Sequence, residues 1–274
     1  MQSTVVSSSE AVKRLREVSQ EVPKAAVLLG SGVEVLEDIA QQKSYSFQEI
    51  FGIAPTVEGH SGSFSLGKLD GQPVAVLRGR FHFYEGYDTD IVTLATRVIV
   101  EWGVPSFYLT NACGAINPAF DVGDLMLLTG YRDHISAQWR ELGMLPSIKV
   151  PPTDCQNELT KHIWKTAEEV AHKNKDFRPL HRGVYAGWLG PCYETLAEIG
   201  MLHHLKADVV GMSTVPELIA AANTKTQAAA ISVITNSWNK AKIHGHKEVL
   251  EAAKAASQRL DILLRAAILA QSAG

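Results

Sequence analysis

The stretch Val74-Ala75-Val76-Leu77-Arg78-Gly79-Arg80-Phe81-His82-Phe83-Tyr84-Glu85-Gly86-Tyr87 decides how this chain is read. Val74 to Leu77 is a short, unbroken apolar run, as expected of a strand buried on both faces of a sheet. In the segment that follows, Arg80, His82 and Tyr84 alternate, and in extended backbone they point the same way. Arginine brings a fixed-charge fork suited to phosphate, histidine a donor near neutral pH, and tyrosine a rigid phenol that can meet a sugar. A solvated edge strand can show the same alternation, although Glu85-Gly86-Tyr87 directly afterwards speaks against it.

Outward from this stretch, the same short apolar pattern recurs at Ala25 to Leu29, Ser106 to Thr110, Ala207 to Met212 and Ala228 to Thr235. Helical stretches fall at about 9–19, 90–102, 157–173, 194–205 and 215–224. A closing helix over 246–272 carries Leu250, Ala253, Leu260, Leu264 and Ala267 as one apolar stripe. Strands of this kind interleaved with helices predict an α/β fold. No repeat, low-complexity stretch or linker divides it, so residues 1–274 are expected to form one domain. The Pro-containing segment at about 140–156 is the candidate for a long irregular loop.

Composition narrows the function classes. With 26 basic and 29 acidic residues the formal charge is −3 and no charge run forms, which argues against nucleic acid as the main partner. Three cysteines without C-x-x-C spacing indicate neither a disulfide framework nor a cysteine zinc site. No apolar stretch of membrane-spanning length and no signal-peptide pattern is found, so a cytoplasmic protein is expected.

Four further groups are candidates for chemistry. Leu28-Leu29-Gly30-Ser31-Gly32 runs an apolar strand into glycines, with a helix expected near Val33, and would present backbone N–H groups and the Ser31 hydroxyl to an anion. A plain turn would look the same, and Val35 breaks the dinucleotide-binding glycine pattern. In Gly211-Met212-Ser213-Thr214-Val215-Pro216-Glu217, Thr214 and Glu217 have capping-box spacing, leaving Ser213 to donate to an anion, or the segment to serve capping alone. Gly190-Pro191-Cys192-Tyr193-Glu194-Thr195 sets an aromatic ring beside a carboxylate, which either holds a ring and its N–H donors or caps a helix. Asn236 closes the last strand with a group that both donates and accepts, and His60 lies between glycines on a loop.

Taken in order, Leu29 to Gly32, Glu58 to Gly62, Gly79 to Tyr87, Thr110 to Pro118, Gly190 to Glu198, Ala207 to Glu217, Ile234 to Asn236 and His246 to Ala252 resemble the trimeric type of purine nucleoside phosphorylase. The resemblance implies a mixed twisted sheet with partly barrel-like closure, flanked by helices. It implies a phosphate site of Ser31, His60, Arg80, His82, the Ala112 N–H and Ser213. Tyr84, Met212 and His246 would contact ribose, Tyr193 sugar and base, and Glu194 and Asn236 the purine. His60, His82, Glu194 and Asn236 are the implied catalytic set. Inorganic phosphate would be a co-substrate, with no metal or organic cofactor, and the assembly a homotrimer. Asn236 with His246 points to inosine and guanosine rather than adenosine.

The chain departs from that family between His134 and Thr160, where the usual Gly-Pro-Arg-Phe-Pro-like stretch is absent and Trp139 is the candidate to replace its aromatic residue. It also carries Cys113 where a second glycine is usual, and Ser237-Trp238 where lysine and a small residue are common. Two rival readings follow: a phosphorylase of 5′-methylthionucleosides, and a non-catalytic homologue that binds nucleoside or phosphate.

Overall fold

All five residues of β1 (Ala25–Leu29) are buried, and they divide by parity. Ala26 and Leu28 pack in one apolar cluster with Phe47, Phe51, Phe64, Trp102 and Phe107, whereas Ala25, Val27 and Leu29 pack in another with Tyr108, Ile231, Leu260 and Leu264. Successive side chains of a strand point to opposite faces, so an all-apolar strand requires cover on both.

The computed structural model describes residues 5–57, 61–135, 151–238 and 246–271. Besides β1, the elements are α1 (Ser8–Val18), β2 (Ala40–Ser46), α2 (Phe47–Phe51), β3 (Ser63–Leu69), β4 (Gln72–Arg78), a 3-10 turn (Phe83–Glu85), α3 (Thr89–Val92), α4 (Leu94–Trp102), β5 (Ser106–Ala115), β6 (Leu125–Asp133) and β7 (Thr153–Asp154). There follow α5 (Glu158–Lys173), β8 (His181–Gly187), α6 (Leu196–His204), β9 (Val209–Gly211), α7 (Val215–Ala221), β10 (Gln227–Ser237) and α8 (His246–Ala270).

One mixed sheet holds the ten strands of the described residues. Strands β5, β10, β6, β8 and β9 pair in a ring, because β10 bonds both β5 and β6 and β9 returns to β5. The other arm, β1, β4, β3 and β2, runs out from β5 and ends on the exposed, polar edge strand β2. The expected partial barrel is therefore present. Strands β4, β1, β5 and β10 are mutually parallel, and their carboxyl ends open on one crevice, where ligands bind in α/β sheets.

Local expectations fared unevenly. No helix begins near Val33: the Glu34 N–H donates to Ser257 Oγ at 2.9 Å and the Leu36 N–H to Asp261 Oδ1 at 2.8 Å, so side chains of α8 satisfy backbone groups that a helix would have used. The Thr214–Glu217 capping box does not form. Thr214 has φ 70° and makes no side-chain cap, its hydroxyl accepting from Asn111 Nδ2 at 3.0 Å, while Glu217 is drawn to Arg80. The stretch at 90–102 is two helices broken at Thr93. Within the anticipated loop, Thr153–Asp154 pairs with β6, while residues 136–150, including Trp139, lie outside the described residues. No helix among the described residues is long and apolar enough to cross a membrane.

Tyr108 of β5 is fully buried, and its hydroxyl has no partner among the described residues. A buried polar group without a partner costs about 1–3 kcal/mol. Tyr108→Phe is therefore expected to raise the melting temperature by about 2–4 °C per kcal/mol recovered, measurable by calorimetry, and a lowered Tm would contradict that accounting.

Candidate active site

Arg80 follows β4 by two residues and is 2% exposed. Its Nε donates to Glu217 Oε1 of α7 at 3.0 Å and its Nη1 to the Thr110 carbonyl of β5 at 2.8 Å, with Ser213 Oγ at 3.3 Å. The second amino nitrogen, Nη2, is buried and has no partner among the described residues. Arg80 thus lines the cavity with one N–H edge left unsatisfied among the described residues. β1 approaches the same wall closely: a Cβ on Gly30 would lie 2.7 Å from the Asn111 Cα, so only glycine passes there. The Gly30 N–H donates to Thr110 Oγ1 at 3.0 Å, which delivers Ser31 to the cavity beside Arg80.

His82 and Tyr84 reach that cavity by a route the alternation did not foresee. Backbone stays extended only through His82, at φ −125° and ψ 152°; Phe83–Glu85 then turns as a 3-10 helix. The turn stacks the Tyr84 ring on His82, centroids 4.6 Å apart and planes within 17°. It also returns Glu85, whose Oε1 accepts from the His82 N–H at 2.8 Å and lies 3.1 Å from His82 Nδ1. Burial pushes the Glu85 carboxyl up, but hydrogen bonds from His82 and Thr56 outweigh it and hold the group at about 2. An ionised carboxylate only accepts, so Nδ1 carries the ring proton and Nε2 is the acceptor nitrogen. Burial lowers the His82 pKa, assisted by the Arg80 charge and opposed by Glu85 and Glu217, which favours the neutral imidazole.

At the other end the sheet itself shapes the wall. Ile234 pairs with Cys113 and Asn236 with Gly114, so Thr235 is an extra residue in β10. Such a bulge re-aims side chains, and both Thr235 and Asn236 line the cavity where regular alternation would have sent one away. Thr235 Oγ1 lies 3.1 Å from Asn236 Oδ1 and 3.2 Å from the Cys113 carbonyl. Glu194 is 5% exposed and does not cap α6, whose N-cap is Thr195 in a capping box with Glu198. Burial drives the Glu194 carboxyl up to about 7, its own backbone N–H opposing and the Glu198 charge adding. Tyr193 beside it is 43% exposed.

Ser31, Arg80, His82, Tyr84, Ala112, Tyr193, Glu194, Met212, Ser213 and Asn236 therefore line a single cavity, as the sequence grouped them. His60 and the side chain of His246, the first residue of α8, lie outside the described residues. Sequence reading missed Glu217 as the anchor of Arg80, 137 positions away, and the Glu85 clamp on His82, for which the i to i+3 spacing was the available signal. Among the described residues no group of three or more His, Cys, Asp or Glu is placed to hold a metal ion.

Residues 24–269 match the phosphorylase superfamily. The purine nucleoside phosphorylase of Rattus norvegicus is 36% identical over 266 residues, spanning 90% of this chain and 89% of its own. Purine nucleoside phosphorylase 1 of Bacillus subtilis (strain 168) is 39% identical over 227 residues, spanning 79% and 80%. The crystal structure of Schistosoma mansoni purine nucleoside phosphorylase in complex with inosine superposes with a TM-score of 0.80 at 28% identity, covering 96% of this chain and 97% of that one.

Two outcomes follow from the geometry. Glu217→Ala leaves the Arg80 charge buried and uncompensated and is expected to destabilise the fold by about 3–5 kcal/mol; the double variant Arg80→Met/Glu217→Leu should recover most of that in urea denaturation. The raised Glu194 pKa means the folded protein resists ionisation, so stability is full below the unfolded value near 4.5 and is lost as pH rises through about 7. Comparing Tm at pH 6 and pH 8, Glu194→Gln should remove that loss in the ligand-free protein, and an identical pH slope in both forms would contradict it.

Proposed function

The chain belongs to the phosphorylase superfamily, among the purine nucleoside phosphorylases, and from that membership we propose how its pocket divides the work of phosphorolysis. The enzyme cleaves purine nucleosides with phosphate, yielding the free base and ribose 1-phosphate. The carrying observation is the unsatisfied Arg80 Nη2, buried in the same cavity wall that holds Glu194 and Asn236.

In this reading phosphate sits among Ser31, Arg80, the Ala112 N–H and Ser213, with His60 from the loop before β3. Neutral His82 turns Nε2 to the protonated oxygen of hydrogen phosphate. Tyr84, Met212 and His246 seat the ribose, and Tyr193 packs on sugar and base. A phosphate oxygen forms a bond to C1′ as the C1′–N9 bond breaks and its electron pair leaves with the purine. The anion steadies the positive charge at C1′, while Asn236 donates to the base and Glu194, ionised, accepts its N1–H. A base carrying N1–H and a 6-oxo group fits both, which favours inosine and guanosine. No step calls on a metal or an organic cofactor.

The chain, 1–274, is proposed to act as one domain, cytoplasmic in location on the strength of its unpaired cysteines. Assembly as a homotrimer is supported by the family and by the exposure of Tyr193 and Leu196, 43% and 77%, on the segment that bounds the pocket; light scattering checks the size.

The test is phosphate-dependent release of hypoxanthine from inosine, run beside adenosine and 5′-methylthioadenosine. Inosine should be the best substrate, and Asn236→Ala should lower its kcat/KM by about 100- to 1,000-fold with the fold intact. Near-normal turnover by that variant refutes the role given to Asn236, and base release independent of phosphate refutes the reaction.

A further inference from the structure

Beside Gly114, at the base end of the pocket, lies a polar group to which the reading above gives no task, the indole N–H of Trp238. The residue follows β10, and its backbone N–H donates to the Ala115 carbonyl at 3.2 Å, so pairing with β5 holds it one step beyond Ser237. Its Nε1 is buried and has no partner among the described residues. Gly114 lines the cavity, and a Cβ added there would lie 2.8 Å from Asn236 Nδ2 and 3.2 Å from Trp238 Nε1. Two N–H groups therefore occupy the place that a side chain at Gly114 would take, so only glycine lets both stand beside this stretch of the pocket wall.

We propose that Trp238 is a specificity-determining residue, its indole N–H joining Asn236 Nδ2 in a two-donor clamp on the exocyclic oxygen of a 6-oxopurine. The inference rests on reading the cavity as a purine nucleoside site. A carboxamide is an ambivalent reader, since turning it over exchanges donor for acceptor. The neighbouring Thr235 hydroxyl, able to donate to Oδ1 or accept from Nδ2, tolerates either setting. Asn236 alone would therefore take a 6-oxo or a 6-amino purine. An indole only donates. A carbonyl oxygen with two lone pairs satisfies both N–H groups, whereas a 6-amino group sets donor against donor and leaves Nε1 unsatisfied in a buried position.

Trp238→Phe keeps an aromatic ring and removes the donor. With phosphate present, kcat/KM is measured for inosine, for adenosine and for purine riboside, which has no group at position 6. The variant is expected to lose about tenfold or more on inosine and less than about threefold on the other two, shrinking the preference for inosine over adenosine accordingly. An unchanged preference overturns the proposal, as does an equal loss on all three substrates, which would mark the ring as packing only. A second readout needs no variant: in wild-type protein with 15N-labelled indoles, one of the five tryptophan N–H resonances should move downfield with hypoxanthine and not with unsubstituted purine. Absence of that shift also counts against it. Failure of the underlying reading is distinct, because wild-type protein would then release no base from any of the three.

Discussion

The phosphate end of the pocket depends on one buried ion pair, Arg80 with Glu217, which ties the exit of β4 to α7. Removing two charges from water costs several kcal/mol per ion, and the attraction between them repays this only with good geometry and further hydrogen bonds. Nε on Glu217 and Nη1 on the Thr110 carbonyl supply that geometry from a helix and a strand at once. A guanidinium fixed on two edges has one orientation, so the third edge is positioned before any ligand arrives. Glu217 also offsets the arginine charge, and His82 is held neutral beside it. The site therefore attracts an anion mainly by directed N–H and O–H donors, a mode suited to preorganised stabilisation and to a chain whose formal net charge is −3.

The base end is built by the opposite means. Closing β5, β10, β6, β8 and β9 into a ring brings β9 against Gly114 and Ala115, and the extra residue Thr235 turns Asn236 into the same space. A regular β10 would place only one of the two side chains on the wall. Here burial is used against a charge: Glu194 sits where ionisation is disfavoured until about pH 7, so a base N–H that donates to it supplies what the protein alone does not. The two ends thus bind by complementary deficits, an unsatisfied donor at one and a strained carboxylate at the other.

Much of this was legible in the chain, for reasons that differ by residue. β1, β5 and β10 announced themselves because strands covered on both faces must be continuously apolar. β2, with its polar and exposed Gln41, Gln42, Lys43 and Ser44, carries no such signal, since an edge strand is set by its neighbour β3 rather than by its own composition. The helix anticipated at Val33 failed because Ser257 and Asp261, more than 220 residues away, take its backbone donors. The capping box at Thr214 failed for a similar reason: Glu217 had a distant and stronger partner. Arg80, His82 and Tyr84 were grouped correctly, although a 3-10 turn rather than strand alternation brings Tyr84 onto His82. For Glu194 the residues left base binding and helix capping open, and family resemblance decided between them, as it also supplied Met212, because nothing in local spacing separates a buried carboxylate from a helix cap.

Several buried polar atoms are left unsatisfied among the described residues. Arg80 Nη2, on a residue that lines the pocket, and Trp238 Nε1, beside the lining Gly114, are donors, Glu217 Oε2 and Asn111 Oδ1 are acceptors on residues that do not line it, and Thr214 holds a left-handed φ of 70° that a β-branched residue adopts only at a cost. Each buried orphan costs about 1–3 kcal/mol, so together they weigh against a total stability typically of 5–15 kcal/mol. A sequence selected for stability alone would remove them with small substitutions. In a fold whose elements otherwise agree, down to the parity of β1, the two donors among them mark places where stability is given up so that an N–H stands ready before binding. The cost also explains the arrangement around them: the arginine is braced by β5 and α7, the histidine by Glu85, and the indole by strand pairing at Ala115, because an unsatisfied group keeps its direction only when its other contacts hold it there.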